Sequence, residues 1–154
     1  MINPLVIETK IQISAPPGAV FEAIVDPAKM SNYFISQGSG RMEEGKFLSW
    51  RFPEFDMEFP IRVGKISKDS LISYFWVIDN EELLVEISLT SVGGDSTIVT
   101  ITEKSRNNDE AGLKWLKQNT EGWANFLTCL KAWLEYGINL RKGAFDFLKI
   151  YKPI

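Results

Sequence analysis

The sequence predicts an α+β fold in which a long amphipathic C-terminal helix closes over a curved antiparallel sheet. Three observations carry this expectation. Residues 5–14 and most of 46–103 alternate apolar and polar side chains with a period of two, the pattern of half-buried strands. Two short segments after the first strand carry proline start signals and helical spacing. Near Asn107 the apolar period changes to three and four and holds as far as Ile138. One sheet layer with helices gathered on one face is an α+β arrangement.

The first strand runs from Leu5 to Ser14, with Leu5, Ile7, Thr9, Ile11 and Ile13 on one face and Val6, Glu8, Lys10 and Gln12 on the other. Ala15-Pro16-Pro17-Gly18 follows, and proline is tolerated in the first helical turn. Val20, Phe21, Ile24 and Val25 then recur at helical spacing. Asp26-Pro27 repeats the signal, with Asp as N-cap and Pro at the first helical position. The expected result is two short helices, ending near Val25 and Met30.

A meander of strands is expected from Ser36 to Glu103. Lys46 to Phe52 places Leu48, Trp50 and Phe52 on one face, and Met57 to Ile66 places Met57, Phe59, Ile61 and Val63 together. Leu71 to Ile78 is apolar on both faces, which puts it inside the sheet and leaves open which face turns inward. Lys68-Asp69 and Asp79-Asn80 mark turns. Leu83, Val85, Ile87 and Leu89 alternate with more polar neighbours. Gly93-Gly94-Asp95 is a hairpin signal, after which Thr97, Val99 and Ile101 run antiparallel.

Asn107 with Glu110 resembles a capping box. Leu113, Leu116, Trp123, Phe126, Leu127, Leu130, Trp133, Leu134 and Ile138 form the apolar stripe of the long helix. Gly122 is a candidate kink or break, and Gly137 a loosening of the last turns. The tail from Gly143 keeps Phe145, Phe147, Leu148 and Tyr151 and has no assigned structure. Arg141-Lys142 reads as a helix end decorated with cations.

Residues 1–154 are expected to form a single domain, long enough to bury roughly 68–70% of the surface of the unfolded chain. One cysteine, Cys129, excludes an internal disulfide and fits a reducing compartment. MINPLVIETK lacks the basic start and apolar run of a signal peptide, and no apolar stretch has the length of a membrane span, so the chain reads as cytoplasmic. Net charge is −3 with basic residues dispersed, against a nucleic-acid surface. The chain has no histidine. An imidazole base, a Ser-His or Cys-His pair and a histidine metal ligand are all excluded, and no metal or other cofactor is expected.

In Gly45-Lys46-Phe47-Leu48-Ser49-Trp50-Arg51-Phe52-Pro53, in Ile72-Ser73-Tyr74-Phe75-Trp76, and in Glu121-Gly122-Trp123-Ala124-Asn125-Phe126-Leu127 with its continuation to Leu134-Glu135-Tyr136-Gly137, the chain resembles the heat-shock-protein-90 ATPase activator homology family. This is a branch of the START-like superfamily, which includes the birch pollen allergen and the polyketide cyclases. The resemblance covers nearly the whole chain. It implies the helix-grip fold, with a cavity between sheet and C-terminal helix. It also implies either an apolar ligand or a co-chaperone role. The co-chaperone carries a separate chaperone-binding domain ahead of the part this chain resembles, and the sequence shows no counterpart.

Binding of a hydrophobic or aromatic small molecule, without catalysis, is therefore the leading expectation. Phe34, Trp50, Phe59, Trp76, Trp123, Phe126, Leu127 and Leu130 are the expected wall. Aromatics also dominate ordinary core energetics, so complete filling of the space is the competing reading. A chaperone or a second copy of the chain is the alternative partner. Catalysis would fall to a carboxylate buried on a strand, Glu58, Glu86 or Glu103, with Arg51 and Arg62 as anion partners. Alternation places Glu58, Arg62 and Glu86 opposite the apolar face, where cross-strand charge pairing is the simpler role.

Overall fold

Strand β1 (Leu5–Ile13) is followed by helices α1 (Pro17–Val25) and α2 (Pro27–Met30). Strands β2 (Gln37–Gly38), β3 (Phe47–Arg51), β4 (Glu58–Ser67), β5 (Leu71–Ile78), β6 (Glu81–Val92) and β7 (Ser96–Arg106) come next, then helices α3 (Glu110–Tyr136) and α4 (Phe147–Ile150). These elements are those of a computed structural model, which describes residues 3–150. The expected Tyr151 contribution of the tail lies outside the described residues. Among the described residues no helix is long and apolar enough to cross a membrane.

All strands join one antiparallel, curved sheet in the order β1-β7-β6-β5-β4-β3-β2. The chain meanders from β2 to β7, and β1 then pairs with β7 to form the far edge. Turn chemistry sets the registers. Asp79 and Asn80 both take positive φ, 49° and 65°, the geometry of a two-residue hairpin turn, and Ile78 faces Glu81. Ile7 and Ile13 of β1, Ile72 and Tyr74 of β5, Val85 and Ile87 of β6, and Val99 and Ile101 of β7 point into the core. The interior position expected for Leu71–Ile78 holds, since β5 lies between β4 and β6. Its inner face carries Ile72, Tyr74 and Trp76, while Val77 is exposed. Met57 departs from expectation: it precedes β4 and is exposed.

Helices α1 and α2 start as the prolines predict. Pro17 opens α1, and the Asp26 side chain accepts from Ala28 N at 2.9 Å to cap α2. Helix α1 packs on β5, β6 and β7, and α3 packs mainly on β1 and β7.

Four expectations about the long helix are corrected. The N-cap is Asp109 rather than Asn107; its carboxylate accepts from Gly112 N at 2.8 Å. Here the chain doubles back so tightly that a Cβ at Gly112 would lie 1.9 Å from the Asn107 carbonyl oxygen, so only glycine fits. Helix α3 is continuous through Gly122, without a break. It ends at Gly137 in left-handed conformation, φ 66°. Gly137 N donates to Trp133 O, the bond of an αL closure, and Ile138 N donates to Ala132 O. Ile138 is consequently outside the helix and exposed. Leu113 is also exposed, and Trp115 takes the inward place. Residues two positions apart on a helix are about 200° apart around its axis, so Leu113 and Trp115 cannot both face the sheet.

A candidate ligand-binding cavity

Between the β4–β5 end of the sheet and α3 lies a cavity of about 590 Å³. The sheet side contributes Phe59, Pro60, Trp76 and Ile78. The segment joining β3 to β4 adds Phe52 and Phe55, and Phe34 enters from the connection after α2. Helix α3 presents Gln118, Asn119, Gly122, Trp123 and Asn125. The chain after α3 returns across the opening and supplies Arg141, Phe145, Phe147 and Leu148. The rings interlock edge to face: Phe34 stands 5.1 Å from Phe52, and Phe52 stands 5.2 Å from Phe59.

Of the eight residues expected in the wall, Phe34, Phe59, Trp76 and Trp123 line this cavity. Trp50, Phe126, Leu127 and Leu130 do not; they lie in the closed core behind it. Trp50 is 1% exposed and packs edge-on against Phe34 and Tyr74. Phe126 is wedged between Tyr33 and Phe34, with centroids at 5.4 and 4.7 Å. These residues share the inward stripe of their elements, but stripe membership does not say how far along an element the core closes.

Beneath the wall is a buried carboxyl group. Glu103 of β7 is 0% exposed. Its Oε2 accepts from Trp76 Nε1 at 2.8 Å, and its Oε1 accepts from Trp123 Nε1 at 2.9 Å and Asn119 Nδ2 at 3.0 Å. All three donors are neutral, and all three belong to cavity-lining residues on β5 and α3. The indole N–H groups are therefore engaged inside the protein, and the two tryptophans turn hydrocarbon towards the cavity. The sequence signal for this was available. Glu103 continues the inward series Thr97, Val99, Ile101, so a carboxylate stands in an apolar register.

The remaining carboxylate candidates sit in ion pairs on the outer face. Glu58 meets Arg51 at 3.0 Å, and Glu86 meets Lys104 at 3.1 Å. Arg62 meets Glu82 at 2.8 Å while lying over the Phe75 ring. Burial pushes the Cys129 thiol upward, which disfavours the nucleophilic thiolate. Burial also raises the Tyr74 phenol well above its ordinary range, with a further contribution from Glu103. Its hydroxyl is buried without a hydrogen-bond partner among the described residues.

Arg141 is not the helix-end cation that its position in the sequence suggests. It lies past the Gly137 cap and donates through Nη2 to Glu54 Oε1 at 2.8 Å, with the Glu54 side chain 3% exposed. Its guanidinium is 4.8 Å from the Phe145 ring centroid. The contact fastens the returning chain to the β3–β4 segment. Neither partner was evident from the sequence, since 87 positions separate them.

The family model for Activator of Hsp90 ATPase homolog 1-like protein matches residues 14–135. The chain belongs to this family. Its match spans β2 to β7 and nearly all of α3, and so includes Glu103 and both indoles that it holds. The protein SSP2350 from Staphylococcus saprophyticus is 34% identical, with 89% of this chain and 96% of that chain covered and a TM-score of 0.77. Two more distant proteins share the fold. The Aha1 dimer from Colwellia psychrerythraea is 20% identical over 86% of this chain and 98% of that one, TM-score 0.74. The HSP90 activator PFC0360w from Plasmodium falciparum is 18% identical over 84% and 96%, TM-score 0.67. No curated protein matches the chain.

Proposed function

We propose that the protein binds an apolar, ring-containing small molecule in the cavity between sheet and α3 and leaves it chemically unchanged. The observation that carries this is an aromatic-walled space of about 590 Å³ whose tryptophan N–H groups are already bound to Glu103. Ligand pockets are typically concave, mostly apolar and roughly 300–1,000 Å³ in volume. With both indole N–H groups engaged, the aromatic part of the wall presents ring surface, which favours rings over polar substrates. Glu103, the buried carboxylate, is screened from the cavity by the indoles it binds, which supports binding over acid–base chemistry.

A second reading is a protein-interaction module of the kind named for the structural relatives. Tyr136, Ile138 and Leu140 are exposed in sequence just where α3 ends, and exposed apolar groups mark partner surfaces. One experiment separates the two. Titration with naphthalene and biphenyl is expected to quench tryptophan fluorescence and raise the melting temperature. Saturation at about 100 times Kd corresponds to about 2.7 kcal/mol. If neither signal moves with any apolar ring compound, the binding reading fails and the interaction module takes its place.

A further inference from the structure

A second cavity of about 300 Å³ adjoins the first, and Phe34 and Arg141 line both. Its character is different. Ionic side chains ring it: Glu54, Arg141, Lys142, Asp146 and Lys149. Lys149 is paired with Asp146 at 3.4 Å, and Arg141 with Glu54. Among the described residues Lys142 has no carboxylate within ion-pair distance, so the smaller cavity carries an excess of positive charge.

The Arg141–Glu54 pair is also incomplete. Arginine and a carboxylate pair most strongly through two parallel hydrogen bonds. Among the described residues only the Nη2–Oε1 bond is made here, and Arg141 Nε and Glu54 Oε2 are both buried without a hydrogen-bond partner. A half-satisfied guanidinium therefore stands where an aromatic cavity meets a cationic one.

We infer that the two cavities form one site for an aromatic amphiphile, its rings in the larger cavity and an anionic head, a carboxylate or sulfonate, on Arg141 and Lys142 in the smaller. This rests on the binding reading above and adds the class of ligand. Glu54 competes with the head group for Arg141. Removing its charge should therefore strengthen binding of the anion, whereas a purely structural ion pair predicts the reverse.

The test uses two fluorescent probes with the same rings, phenylnaphthylamine and anilinonaphthalene sulfonate, of which only the second is anionic. The sulfonate is expected to bind at least about tenfold more tightly, the scale of one charge-assisted hydrogen bond. Glu54→Gln should widen that advantage. Arg141→Met should abolish it, bringing the affinities of the two probes to within about twofold of each other, as expected where the charged contact is lost. Arg141→Met strands the Glu54 charge and can unfold the chain, so Glu54→Gln combined with Arg141→Met repeats the test without a buried charge. Equal binding of the two probes to the wild type, or an advantage that persists in the double variant, overturns the anionic-head assignment and leaves the apolar cavity standing. Failure of both probes to bind overturns the binding reading itself.

Discussion

Glu103 shows how one side chain can shape a site it does not touch. Its two oxygens hold three N–H groups, and the two indoles among them are fixed as cavity wall. Replacement by glutamine sets an NH₂ where one oxygen stood, so either Trp76 or the Trp123–Asn119 pair meets a donor instead of an acceptor. Leaving a buried donor unsatisfied costs about 1–3 kcal/mol. Glu103→Gln should lower stability in urea by that amount, and Trp76→Phe in the same background should cost less than it does in the wild type. Strict additivity of the two changes would show that Trp76 and Glu103 are not coupled. The residue was partly legible beforehand. Alternation along β7 put a carboxylate among inward positions, but its partners lie 16 to 27 positions away on other elements. Spacing along one strand carries no information about them.

At the scale of elements, periodicity reads well wherever one face of a helix or strand is buried. Helix α3 follows from its apolar stripe, and the inner residues of β1, β6 and β7 follow from alternation. The same reasoning is weaker at single glycines. Gly122 looked like a break, yet glycine inside a helix costs only about 1 kcal/mol against alanine. The buried stripe of a 27-residue helix outweighs that. A Cβ at Gly122 would meet nothing within 4 Å, and the position lines the cavity. Gly122→Ala should therefore stabilise the protein by about 0.5–1 kcal/mol in chemical denaturation, through helix propensity alone. Gly122→Leu should also favour the helix, but its side chain enters the cavity. Phenylnaphthylamine affinity should fall by at least about tenfold, since one blocked contact of about 1.4 kcal/mol suffices. Undiminished affinity in the leucine variant would place the ligand away from α3. The chain after Gly137 had no such periodicity to read. Its place is set by Arg141 reaching Glu54 and by the phenylalanines laid across the opening.

At the scale of the whole molecule, the cavity exists because α3 is held to the sheet at two separated places. Its middle is tied to β7 and β5 through Glu103. Its C-terminal end is tied to the end of β1: Glu135 Oε2 accepts from Ser14 N at 2.9 Å, and Lys131 Nζ donates to the Gln12 carbonyl at 2.9 Å. The hydrogen bond from Lys131, assisted by that from Ser14, holds the Glu135 carboxyl below the usual carboxylate range. A depressed folded-state pKa means that the unfolded chain binds the proton more readily. The stabilisation is therefore complete above the unfolded value of about 4.3 and is lost as pH falls from there through the folded value. Exposed pairs such as Glu22–Arg41 titrate in the same region, but they are present in both proteins when the wild type is compared with Glu135→Gln. The difference in urea midpoint between those two proteins should be constant from about pH 8 to pH 5 and narrow as the pH falls below about 4. A gap that does not narrow at all as the pH falls would show that the tie holds as well with a neutral side chain, and that charge on Glu135 does not fasten the helix to β1.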